Sequence, residues 1–142
     1  MSTINQIADA IVQSLNTGSF SMAVEAQRCY QPVHGLSQLQ ELRVSVVPKS
    51  LTATIATRSD GFFDCAIDVG IQQKVDADDQ EALDGLMHLV EEIGDHLRFH
   101  KLDAFPNAAW LALENTPIFA PEHLEKERVF TSVLTVTYRV RR

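Results

Sequence analysis

The closing stretch, Arg128-Val-Phe-Thr-Ser-Val-Leu-Thr-Val-Thr-Tyr-Arg-Val-Arg-Arg142, decides the fold. Phe130, Leu134, Val136, Tyr138 and Val140 take alternate positions, with Ser132 the one polar member. Val129, Thr131, Val133, Thr135, Thr137 and Arg139 take the positions between. Period-two alternation carried by β-branched and aromatic side chains predicts a long, half-buried strand. No Pro or Gly interrupts it, so a central place in a sheet is open to it. A strand of this length needs partners, and earlier strands should dock on it.

Working outward, residues 51–58 and 62–75 supply the nearest candidates. Leu51, Ala53 and Ile55 alternate with threonines up to Arg58, and Ser59-Asp60-Gly61 is turn chemistry, which predicts a projecting β-hairpin. After the turn, Phe63, Cys65, Ile67, Val69 and Ile71 share one face, and Asp64, Ala66, Asp68, Gly70 and Gln72 share the other. Phe20–Glu25 alternates in the same way and reads as a strand reaching toward Tyr30. Arg43–Val47 reads as a short strand stopped by Pro48, and Ala108–Leu113 as another strand. Leu36, Leu39 and Leu42, after the break at Gln31-Pro-Val-His-Gly35, suggest one helical turn. Glu122–Arg128 suggests a further turn of helix in a connector that holds Pro117, Ile118, Phe119 and Pro121.

Two helices carry a 3.6-residue pattern. In Thr3–Leu15 the apolar set is Ile4, Ile7, Ala8, Ile11, Val12 and Leu15, with Thr3 and Gln6 placed as a capping box and Gly18 as the stop. In Asp79–His100 the stripe is Leu83, Leu86, Met87, Val90, Ile93 and Leu97, with Asp78 and Glu81 at the start. Arg98, His100 and Lys101 gather at the negative end of that helix's dipole. The reading is one α+β domain over residues 1–142, with a mostly antiparallel sheet and two main helices packed against it.

The 142 residues suffice for one domain with a core, and the net charge of −7 argues against a generally basic nucleic-acid surface. The apolar runs are far shorter than a membrane span and the N-terminus lacks signal-peptide layout, so a cytoplasmic protein, or one assembled there into a particle, is expected. Cys29 and Cys65 have no motif spacing and read as unpaired, both as small buried apolar groups.

Asp84, His88, Glu92, His96 and His100 recur every four residues, a stripe that winds by about 40° per step. Imidazoles and a carboxylate at that spacing could hold zinc, but the stripe falls opposite the apolar face, where a solvated surface belongs. Asp64 and Asp68 share a strand face roughly 13 Å apart, too far for an acid–base pair. No nucleophile elbow, Cys-x-x-Cys or glycine-rich phosphate loop is present. No catalytic residue, metal or cofactor is expected.

Other features lean toward assembly. Phe62 and Phe63 must point to opposite faces of their strand, and Ile118 and Phe119 are apolar for a connector. Arg139, Arg141 and Arg142 oppose in sign the acidic face of Asp64 and Asp68 and could meet that face on a neighbouring subunit. Together with Arg58 beside the turn, these are the candidate protein-interface residues.

The order of elements, with Leu-Arg-Val-Ser-Val-Val-Pro (42–48), Ala-Ile-Asp-Val-Gly-Ile-Gln (66–72), Leu-Val-Glu-Glu-Ile-Gly-Asp-His-Leu (89–97) and Phe-Thr-Ser-Val-Leu-Thr-Val-Thr-Tyr-Arg-Val (130–140), resembles the tail terminator, or tail completion, proteins of phages and prophages with long non-contractile tails. The resemblance spans almost the whole chain. It implies a compact α+β subunit that forms a hexameric ring on the tail tube, stops tube growth and offers the head-joining surface. The implied partners are further copies of itself, the tail tube protein and a head-completion or connector protein, in the virion tail. It implies no catalytic residues. The alternatives are a neck connector and, from another class, a metal-binding module or metal-dependent enzyme using His88 and His96.

Overall fold

The structure, a computed structural model, describes residues 2–30, 41–98, 101–116 and 118–142. The turn expected around Leu36 and Leu39, the break at residues 31–35, His100 and Pro117 lie outside the described residues. The elements are α1 (Thr3–Thr17), β1 (Ala26–Arg28), β2 (Arg43–Ile55), β3 (Gly61–Lys74), α2 (Gln80–Leu97), β4 (Ala109–Asn115), a short π-helical turn (His123–Glu127) and β5 (Val129–Arg141). They form one five-stranded sheet in the order β1-β2-β3-β5-β4. Among the described residues only the β1–β2 pair is parallel. The α+β class with a mostly antiparallel sheet is as the sequence predicts.

β5 does take a central place, inserted between β3 and β4. Cys65, Ile67, Val69 and Ile71 of β3 lie on the same face as Leu134, Val136, Tyr138 and Val140 of β5, and all are buried. Ile7, Ile11 and Leu15 of α1 and Leu86, Leu89, Ile93 and Leu97 of α2 close over that face in the same core. Removing these aliphatic side chains from water supplies the main stabilisation, about 1.5–3 kcal/mol for each fully buried Leu or Ile. The opposite face presents Thr52 and Thr54, Asp64 and Asp68, and Thr135, Thr137 and Arg139, and most of these stay partly exposed.

Several local expectations change. Pro48 does not stop a strand: β2 runs through it with a register shift between Pro48 and Ser50. β1 reaches only as far as Val46, so among the described residues Pro48 has no partner on that side of β2 and its missing N–H breaks no ladder bond there. The β2–β3 hairpin is present but does not project as two free strands. β5 accompanies β3 to its start, Phe62 opposite Arg141, and Gly61 and Arg142 exchange backbone hydrogen bonds of 2.7 and 2.9 Å. Phe20–Glu25 is not a strand; the strand there is Ala26–Arg28 alone. Phe20, Met22 and Val24 are half-buried against the core, and it is this packing, not a ladder, that produces their alternation.

The caps shift by one residue. Ser2, not Thr3, caps α1 by accepting from the Asn5 N–H at 3.3 Å. Asp79 caps α2 by accepting from the Ala82 N–H at 3.1 Å, because a turn closed by the Asp79 N–H on the Asp76 carbonyl sets it there. Within α2, Leu89 is buried where Met87 had been expected, and Met87 is 37% exposed.

Candidate assembly surfaces

The expected interface residues gather on the open face and at its edge. Arg139 donates Nε and Nη2 to the two carboxylate oxygens of Asp64, at 2.7 and 3.1 Å. That contact holds the Asp64 carboxyl below its usual range. The Arg139 guanidinium also lies over the Phe62 ring, 4.7 Å from its centroid. Asp68 accepts from the Thr135 hydroxyl at 2.6 Å, with Lys49 at 3.9 Å. Arg141 pairs with Asp60 at 3.2 Å. Arg142 donates to the Thr3 hydroxyl at 2.9 Å and covers the Phe63 ring. The acidic strand and the basic terminus, expected to meet across subunits, are neighbouring strands of one face and meet within the chain. Arg58 is exposed in the turn after β2. Ile118 and Phe119 are exposed beside α2, away from this set.

The α2 stripe is the expected solvated surface at Asp84 and His88, but Glu92 and His96 are half-buried in contacts. His96 Nε2 lies 2.9 Å from the Ser14 hydroxyl, and the His96 ring meets Phe20 edge to face at 5.3 Å. Glu92 accepts from the Ser21 hydroxyl and from its backbone N–H, which pulls its carboxyl below the usual range. His88 approaches Glu92 at 3.8 Å. The stripe thus fastens α1 and residues 18–22 to α2. Among the described residues no group of three or more His, Cys, Asp or Glu side chains is placed to hold a metal ion. The Ser14–His96 distance is that of a nucleophile and its base, beside a cavity of about 220 Å³. Ser14 sits in the last turns of α1, however, where free carbonyls carry partial negative charge and oppose a developing oxyanion.

Two sheet edges carry exposed apolar groups. β1 pairs only with Val44–Val46, so the outer half of β2 has β3 on one side and nothing on the other among the described residues. Leu51 and Ile55 lie there, 44% and 81% exposed. At the far edge β4 pairs, among the described residues, only with β5, and Leu111, at the register shift between Trp110 and Ala112, is 42% exposed. Beside β4, a groove of about 310 Å³ runs between Met87, Val90 and Gly94 of α2 and Leu113, Ile118 and Leu134. Gly94 permits this closeness, since a Cβ there would come within 3.2 Å of Leu113 Cδ2. A second hollow of about 330 Å³ joins it at Met87, bounded by Leu83, Phe119, Leu124 and Phe130. Leu51, Ile55, Met87 and Leu111 escape a reading of the sequence, because each belongs to an apolar pattern that looks destined for the core.

Among the described residues no helix is long and apolar enough to cross a membrane. No family model matches the chain, and no curated protein matches it.

Proposed function

We propose that this chain is a virion-assembly protein of a tailed phage or prophage, a tail terminator that caps the tail tube as a ring, stops its polymerisation and gives the head a surface to join. The residues 42–48, 66–72, 89–97 and 130–140 support the family reading. The observation that carries it to assembly is the pair of unlike sheet edges, open among the described residues, each with apolar side chains left in water. A ring of identical subunits needs two different, mutually complementary patches on each copy, and opposite edges of one sheet meet that requirement. Exposed backbone donors and acceptors on such edges are otherwise a hazard that proteins cover or blunt.

Native mass against protein concentration, with and without a chelator, tests the reading. A closed oligomer that survives the chelator, seen as a ring by electron microscopy, is the expected result. A chain that binds one metal stoichiometrically and never self-associates would replace assembly with the metal-binding alternative.

A further inference from the structure

We propose that the ring contact is head-to-tail strand addition: the outer half of β2 in one copy joins the sheet of the next copy along the free edge of β4. This rests on the reading of the chain as a self-assembling subunit, and names the two surfaces that meet.

Three independent features fit the edges to each other. The first is length. Among the described residues β2 has no partner on its outer side beyond Val46, and the part past the irregularity at Pro48, residues 49–55, matches in extent the seven residues of β4, Ala109–Asn115. Main-chain pairing along such a segment supplies affinity, and the side chains supply the choice of partner.

The second is the face on which the side chains fall. Leu51 stands opposite Cys65 in the ladder, and Cys65 belongs to the helix-covered face. Ile55, four residues on, lies on that same face. On the other edge, Leu113 stands opposite Val136, also of the helix-covered face. A β2 strand continuing the sheet beyond β4 therefore carries Leu51 and Ile55 to the side where the groove of Met87, Val90, Leu113 and Ile118 lies open. A strand slipped by one residue would present threonines to that groove instead.

The third is charge. Residues 49–58 contain Lys49 and Arg58 and no acid, whereas the groove is lined on its α2 side by Glu91 and Asp95, with Arg98 paired to Asp95. Complementary potentials of this kind favour β2 on β4 over either edge on its own copy.

The test uses two variants whose defects are complementary. Ile55→Asp disables the β2 edge and leaves β4 intact; Leu111→Asp disables the β4 edge and leaves β2 intact. Both sites are exposed, so each variant should stay folded, with the far-UV circular dichroism of the parent chain and a cooperative thermal transition. Native mass should show the parent chain as a closed oligomer and each variant alone as a monomer. Mixed in equal amounts, they should form a one-to-one dimer that cannot grow, since one working edge remains on each. If both variants keep the parent oligomer, the contact lies elsewhere and the strand-addition proposal fails while self-assembly stands. If the variants are monomers and stay so when mixed, the two positions are not opposite sides of one contact and the proposal also fails. A parent chain that is monomeric at every concentration overturns this proposal and the self-assembling ring together.

Discussion

Tyr138 places its hydroxyl as well as its ring in the core: the residue is fully buried, and the hydroxyl has no hydrogen-bond partner among the described residues. Burial drives its pKa upward, so the phenol stays neutral. A buried hydroxyl without a partner costs on the order of 1–3 kcal/mol of desolvation. Tyr138→Phe should therefore stabilise the chain by about 1 kcal/mol, seen as a higher urea midpoint at unchanged slope. A lower midpoint would mean that the hydroxyl has a partner. The two carboxylates with depressed pKa values make the opposite kind of contribution. Asp64 is held down by the Arg139 hydrogen bonds, and Glu92 by the Ser21 hydroxyl first and the Ser21 N–H after it. Their folded pKa values lie below the unfolded ones, so the stabilisation is present above about pH 4–4.5 and is lost as pH falls through the depressed folded values. The urea midpoint should drop on acidification across that window, and Asp64→Asn with Glu92→Gln should flatten the drop. An equally steep drop in the double variant would assign acid sensitivity to other carboxylates.

The elements best read from the sequence are those whose pattern has one physical cause. β5 and β3 alternate because one face meets helices and the other does not, and both form where that period puts them. Where a pattern has two possible causes, the reading slips. The alternation of Phe20, Met22 and Val24 comes from packing on the core without a ladder, and the i, i+3, i+4 rule admits Met87 and Leu89 almost equally until the sheet beneath selects Leu89. Pro48 ends a central strand but not an edge, and edge status depends on where β1 stops. The α2 stripe shows the same ambiguity. Its polarity suggests solvent, yet Ser14, Phe20 and Ser21 use it to fasten α1 and the following loop. His96→Ala and Ser14→Ala should each lower stability by about 1 kcal/mol, with the double variant costing less than the sum, as a shared hydrogen bond requires. Chelator should leave the parent chain's thermal midpoint unchanged. A chelator-induced drop would bring the metal reading back.

At the scale of the molecule, strand order is what the sequence conceals. The turn at residues 59–61 makes β2 and β3 neighbours, but nothing in the strands' own residues names the remaining neighbours, and the last strand enters between β3 and β4. Edge and centre are thus invisible, and Leu51 and Ile55 read as core although they stand in water. The same gap scatters the candidate site. Asp64, Asp68, Arg139 and Arg141 look like two opposed patches, and the fold makes them one face whose charges are matched internally. A face whose ion pairs are already made, and partly solvated, has little to gain from a partner; such exposed pairs are each worth only about 0–1 kcal/mol. An edge with unpaired backbone and exposed aliphatic groups has much more to gain. The two surfaces can therefore be separated in one experiment. Asp68→Asn combined with Arg141→Gln should leave the native mass of the oligomer unchanged, because the amide still accepts from Thr135 and the edges are untouched. Ile55→Asp alone should abolish the oligomer. If the open-face variant dissociates and the edge variant does not, subunits meet through the polar face, and the internal pairing of Asp64 with Arg139 becomes a contact that assembly must rearrange.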